Sequence, residues 1–312
     1  MKDKKQTMQK KYDVPDRFLK AYPGVALGLA VTSMLCSCAG LSFTDRYRTA
    51  YQIAAVQDGD TDGHLRPLLP FIYDDPSYPL QTFERVDTAA GMAVIYIEGD
   101  GLNFLSRGQI SGDPTPLHPF ALRLARMDPA DAVIYAARPC QYVRDVSSCT
   151  YPIWTDGRMG DDVIRRYDRF LDQIRMRHQG IKSFHLVGYS GGGGVAVLLA
   201  ARRPDVMSIR TIAGNVDTEM FTRLHDLTPM SSSLNPADVA RHVRSVPQIH
   251  YVGTDDTRVP IDIAQSYMRS MALKTGSEKL PCVHVVRVPH ADHVDGWMSY
   301  WADTVRTIPA CR

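Results

Sequence analysis

The chain has 312 residues, a formal net charge of +2, 44% apolar residues and 22% charged residues. These values are ordinary for a soluble globular domain and exclude a disordered chain, a collagen-like fibre and a polytopic membrane protein. Thirty-six basic side chains against 34 acidic ones leave no strongly basic balance, so nucleic acid is not expected as a partner.

In chain order, residues 1–23 come first and are polar and basic, with Lys2, Lys4, Lys5, Lys10, Lys11, Arg17 and Lys20. The uncharged run Gly24–Leu35 follows. It is too short to span a bilayer, which needs about 20 residues, and suits the apolar core of a secretory signal. Next stands Leu35-Cys36-Ser37-Cys38-Ala39. This resembles the bacterial lipobox, with Leu at −3, a small residue at −1 and a Cys that becomes lipidated. Cys38 fits that pattern better than Cys36, which has Ser33 and Met34 at −3 and −2. The resulting expectation is a signal peptide over 1–37, a lipidated N-terminus and linker over 38–64, and one domain over 65–312. Acyl chains on Cys38 would tether the protein to a membrane. Ala39 rather than Asp after Cys38 points, by the same resemblance, to the periplasmic face of the outer membrane. An uncleaved anchor over Gly24–Phe43 and an internal start such as Met8 stay open.

Beyond residue 65, short β-type runs alternate with amphipathic stretches. The expected strands are Met92–Glu98, Ala132–Ala136, Phe184–Tyr189, Ile209–Ala213, Ile249–Gly253 and Val283–Val288. Several are continuously apolar, as in parallel strands buried on both faces. The expected helices are Pro116–Met127, Gly160–Arg177, Gly192–Arg203, Ile261–Thr275 and Trp297–Ile308. In the longest, Val163, Tyr167, Phe170, Leu171 and Ile174 share one face. The alternation gives an α/β class: a doubly wound, mostly parallel sheet in a single domain. Two long loops, Arg138–Gly157 and Asn215–Ala237, are placed to build a substrate site. Aromatic residues Phe104, Tyr142, Tyr151 and Trp154 either line a pocket or pack the loops.

Export would place the four remaining cysteines, Cys140, Cys149, Cys282 and Cys311, in an oxidising compartment. Four allow three pairings, of which Cys140–Cys149 and Cys282–Cys311 are favoured over free buried thiols. No Cys or His spacing suits a zinc site, and no cofactor motif is present.

The chemistry concentrates in Gly188-Tyr189-Ser190-Gly191-Gly192, a G-x-S-x-G that follows a strand and opens a helix. The turn forces Ser190 to an exposed apex. Gly188 and Gly192 face each other across it, where a side chain would clash. Helix-start amides lie beside the hydroxyl. In this motif and its strand–helix context the chain resembles the α/β-hydrolase superfamily, over nearly all of residues 65–312. That resemblance implies a fold, a Ser-acid-His order and an acyl-enzyme mechanism. The turn Gly253-Thr254-Asp255-Asp256-Thr257-Arg258-Val259-Pro260 resembles the family's G-x-x-D-x-x-V-P and selects Asp256, with Asp255 the alternative. The last loop, Val288-Pro289-His290-Ala291-Asp292-His293, selects His293, with His290 the alternative. Oxyanion donors are expected at the Gly191 and Asp100 amides. Glu98-Gly99 stands where the family commonly has His-Gly, and a cation such as Arg107 is expected beside Glu98. The implied function is a serine hydrolase of small or lipid-like esters, tethered to the envelope. An acyltransferase or peptidase using the same triad, or a non-catalytic binding protein on this fold, are the alternatives.

Overall fold

The computed structural model describes residues 42–55, 65–271 and 282–311. The apolar run Gly24–Leu35 and the cysteines Cys36 and Cys38 lie outside them.

The scaffold is an eight-stranded sheet. Its strands are β1 (Leu69–Tyr73), β2 (Leu80–Val86), β3 (Met92–Ile97), β6 (Ala132–Ala136), β7 (Ser183–Tyr189), β8 (Val206–Ile212), β9 (Gln248–Gly253) and β10 (Val283–Val288). A small hairpin, β4 (Phe104–Ser106) and β5 (Gln109–Ile110), stands apart. The order is β1-β2-β6-β3-β7-β8-β9-β10. The pairs β1/β2 and β2/β6 are antiparallel and every other pair is parallel. Each of the six expected strands forms. The helices are α1 (Phe43–Ala55), α2 (Phe120–Met127), α3 (Asp161–Arg177), α4 (Gly191–Ala200), α5 (Thr218–Leu224), α6 (Ile261–Met271) and α7 (Trp297–Thr304). Helix α2 starts four residues later than expected, behind Pro119 in its extended N-cap conformation.

Side-chain alternation along the central strands feeds two cores. Ile95, Ile97, Ile134, Ala136 and Leu186 face one layer, covered by α3, α4 and α6. Val94, Tyr96, Val133, Tyr135 and Val187 face the other, covered by α1, α2 and α7. Both layers exclude water, which is why these strands read as unbroken apolar runs.

Strands β1 and β2 and helix α1 were not anticipated, nor were the β4–β5 hairpin and helix α5, which lies within the expected loop Asn215–Ala237. Strand β2 buries Gln81, Thr82, Glu84 and Arg85. Their polar groups are satisfied by partners distant in sequence, Glu84 by Arg177 and Arg85 by the carbonyls of Arg66 and Asp128. Its neighbour β1 is short and carries Pro70 on the sheet edge, a position that tolerates proline. Residues 43–55, expected as linker, instead form α1. It buries Ala50 and Ala54, sets Tyr51 edge-on to Phe83 at 5.2 Å, and sends Arg46 to the Thr115 carbonyl at 2.7 Å.

Long-range polar ties fix the loops that flank the site. Arg166 on α3 is fully buried and donates to the Tyr73 and Tyr78 carbonyls, tying down the β1–β2 connection. Burial pushes its guanidinium down to about 10. Disulfides join Cys140 to Cys149 and Cys282 to Cys311, the pairing favoured from sequence. The first closes a tight loop after β6. The second clamps the chain end to the start of β10.

Candidate active site

Ser190 sits between β7 and α4 with φ 51° and ψ −121°. A non-glycine residue holds that conformation only where its surroundings over-determine it. Here they do. The Ser190 amide donates to the Ile212 carbonyl at 3.0 Å. The Ser190 carbonyl accepts from Gly193 at 3.0 Å and from Asn215 at 2.9 Å. A Cβ on Gly188 would overlap the backbone of Gly192 and Gly193, and one on Gly192 would overlap the Ile97 and Glu98 carbonyls. The turn therefore closes only with glycine at both positions.

Three side chains from three loops converge on this apex. His293 Nε2 lies 3.1 Å from Ser190 Oγ, and His293 Nδ1 lies 2.9 Å from Asp256 Oδ2. Asp256 follows β9. Its other oxygen, Oδ1, accepts from the Arg258 and Val259 amides at 2.8 Å each, which turns Oδ2 toward the imidazole. Burial works to raise the Asp256 carboxyl. It is outweighed by the hydrogen bond and charge of His293 and by the two amides, so the net shift is downward. His293 lies in the loop before α7. Its carbonyl accepts from the Tyr189 hydroxyl at 3.0 Å, and Asp292 caps the turn through the Val294 and Asp295 amides. The alternatives fall outside the constellation: Asp255 is exposed and bonded to Thr254, and His290 is exposed at the rim.

Opposite the apex runs the loop after β3. A Cβ built on Gly99 would stand 3.3 Å from Ser190 Cβ, so this loop lies in contact with Ser190. The Asp100 and Gly191 amides donate to no other group among the described residues. Glu98 corrects one expectation. It is 1% exposed, and no cation among the described residues pairs with it. Its Oε1 accepts from the Gly99 amide at 2.9 Å and from Ala121 at the start of α2 at 3.4 Å. Arg107 donates instead to the His225 carbonyl. Burial, only partly offset by those amides, pushes the Glu98 carboxyl up to about 7.

The loop Arg138–Gly157 packs inward. Tyr142 and Trp154 are buried, with Trp154 Nε1 donating to the Ser111 carbonyl at 3.1 Å, whereas Tyr151 and Phe104 are exposed. This loop supplies residues that sequence reasoning passed over. Arg138 and Arg158 both pair with Asp100, and Gln141 donates to the Gly99 carbonyl. Their one sequence signal was two arginines at the ends of a long loop, and a glutamine inside it, with two cysteines between the arginines. Among the described residues, no cluster of three or more His, Cys, Asp or Glu side chains could hold a metal ion. No helix among them is long and apolar enough to cross a membrane.

Solved structures of similar architecture carry the same sheet. The esterase Est1E from Butyrivibrio proteoclasticus, in its complex with ferulic acid, superposes with a TM-score of 0.56 at 11% identity, covering 76% of this chain and 96% of that one. The chain has the α/β-hydrolase fold. A Pyrococcus furiosus esterase superposes with a TM-score of 0.53 at 10% identity, over 76% of this chain and 86% of its own. A puromycin hydrolase gives 0.54 at 12% identity, over 79% of this chain and 39% of its own. No family model matches the sequence, and no curated protein does. Ser190, Asp256 and His293 follow β7, β9 and β10, whose C-terminal ends lie on one side of the sheet.

Proposed function

We propose that the chain is a serine hydrolase that cleaves a carboxylic ester through an acyl-enzyme. The observation that carries this reading is the hydrogen-bonded line Ser190–His293–Asp256, with links of 3.1 and 2.9 Å. A serine hydroxyl is a weak nucleophile until an adjacent base accepts its proton. In this reading Ser190 Oγ attacks the ester carbonyl while His293 Nε2 takes the proton. The Asp256 carboxylate holds Nδ1–H and stabilises the imidazolium. The tetrahedral oxyanion is received by the Gly191 and Asp100 amides. His293 then protonates the departing alcohol, and water repeats the sequence to release the acid. The Pyrococcus furiosus esterase among the fold neighbours is consistent with a small or lipid-like ester as substrate.

Fluorophosphonate labelling of the purified chain, with the adduct mapped by mass spectrometry, tests the assignment. Labelling at Ser190, abolished in His293→Ala with an unchanged far-ultraviolet spectrum, is the expected result. A folded chain that takes up no label refutes it.

We also propose attachment to the bacterial envelope through a lipidated Cys38, on the strength of the lipobox-like Leu35-Cys36-Ser37-Cys38. Cys38→Ala should move the protein from the membrane to the soluble fraction. Retention in the membrane fraction refutes lipid anchoring.

A further inference from the structure

We propose that Arg138, Gln141 and Arg158 are positioning residues for the oxyanion site, acting through the Gly99–Asp100 peptide. The proposal rests on the serine-hydrolase reading and adds to it the groups that aim one of its donors. A peptide unit is planar and trans, so its carbonyl and its N–H point in opposite directions. Whatever grips the Gly99 carbonyl therefore orients the Asp100 N–H. Gln141 Nε2 donates to that carbonyl at 3.1 Å, and Gln141 Oε1 is itself held by the Arg138 amide at 3.0 Å.

The Asp100 side chain pins the same peptide from its other end. Arg138 Nη1 lies 3.0 Å from Oδ1, and Arg158 Nε lies 2.8 Å from Oδ2. Both arginine side chains are nearly buried, at 5% and 10% exposure. They are locked in turn. Arg138 Nη2 donates to the Arg158 carbonyl, and Arg158 Nη1 donates to the Thr155 carbonyl at 2.8 Å. The carboxylate lies against Gly191, where an added Cβ would overlap Oδ1. One anchored carboxylate thus touches both residues that carry the expected donors. Two guanidiniums against one carboxylate also leave a net positive charge beside the developing oxyanion, where low polarity makes charge count most. Gln141 lies inside the loop closed by Cys140–Cys149 and Arg138 two residues before it, so the disulfide anchors the chain beside both groups.

The test uses the whole chain, p-nitrophenyl butyrate as substrate, and a trifluoromethyl ketone as a mimic of the tetrahedral oxyanion. Loss of one oxyanion donor typically lowers rate by about 10²–10³. Misaiming one should cost less, so Arg138→Gln and Arg158→Gln are expected to lower kcat by about 10–100-fold. KM should stay within about threefold, because the interaction is made only in the transition state. Ketone affinity should fall in step with kcat. Arg138→Lys, which keeps a cation for Asp100, should recover part of the loss. The double variant Asp100→Asn/Arg138→Gln should lose no more than its worse single variant. If Arg138→Gln fails to fold, Arg138→Lys and the isosteric Gln141→Glu carry the same comparison. Unchanged kcat in the folded variants overturns the proposal. So does a loss carried by KM, or losses that multiply in the double variant. A wild-type chain that neither labels at Ser190 nor turns over the ester overturns the hydrolase reading itself, a different result from an active wild type with indifferent arginines.

Discussion

Glu98→Gln should make the protein more stable at alkaline pH and flatten its stability between pH 5 and 8. Glu98 is buried beneath the loop that faces Ser190, with its carboxyl raised from 4.5 to about 7. A carboxyl raised in the folded state binds more protons there than in the unfolded chain at intermediate pH. Its contribution is therefore fully favourable below pH 4.5 and is lost as pH rises through 7. At about 1.4 kcal/mol for each tenfold change, the full cost above pH 8 is about 3 kcal/mol. Roughly 2–2.5 kcal/mol of it accrues between pH 5 and 8. Glutamine keeps Oε1 as acceptor for the Gly99 and Ala121 amides, removes the charge, and puts an amide NH2 where the buried Oε2 stands. Other groups titrate in this window. Burial lowers His250 to about 4, which costs stability on the acid side, from about pH 6.5 downward. Subtracting the variant's curve from the wild-type curve cancels that background. Urea unfolding at pH 5, 6, 7 and 8 gives both curves. The difference should grow by about 2 kcal/mol across the range. Parallel curves would refute the reasoning and mean that Glu98 ionises as freely in the folded protein as in the unfolded chain.

Asp256→Asn keeps the shape but offers a donor where Nδ1–H must donate, so ester turnover should fall on the order of 10³–10⁴-fold with folding preserved. Steady-state kinetics beside a melting curve checks both halves. Gly192→Ala drives a methyl into the Ile97 and Glu98 carbonyls. It should cost about 1–3 kcal/mol in urea unfolding and open the Ser190 turn, abolishing fluorophosphonate labelling. The disulfides span 9 and 29 residues. Chain-entropy arithmetic assigns them about 2.6 and about 3.6 kcal/mol, so the Cys282→Ser/Cys311→Ser double variant should lose about 1 kcal/mol more stability than Cys140→Ser/Cys149→Ser. The opposite ranking would place the effect outside loop closure.

What the sequence determined was local or periodic. Burial on both faces leaves an unbroken apolar run, so β3, β6 and β7 declare themselves without knowledge of their neighbours. The turn at Ser190 is governed by sterics within five residues, and its glycines are legible for that reason. Asp256 and His293 were singled out by the resemblance of their turns to α/β-hydrolase loops, and they can meet Ser190 because a parallel sheet delivers all its strand ends to one side. Tertiary structure decided whatever depends on a distant partner. Strand β2 is masked in sequence because Glu84 and Arg85 are buried against groups that arrive from elsewhere in the chain. Helix α1 has only small buried side chains, Ala50 and Ala54, beside Arg46, and leaves no apolar stripe to read. Glu98 was expected beside a cation until α2 closed over it, and the Asp100 side chain had no expected partner until Arg138 and Arg158 met it. Side chains of opposite charge find one another through the fold, and neither their spacing nor their composition along the chain records that meeting.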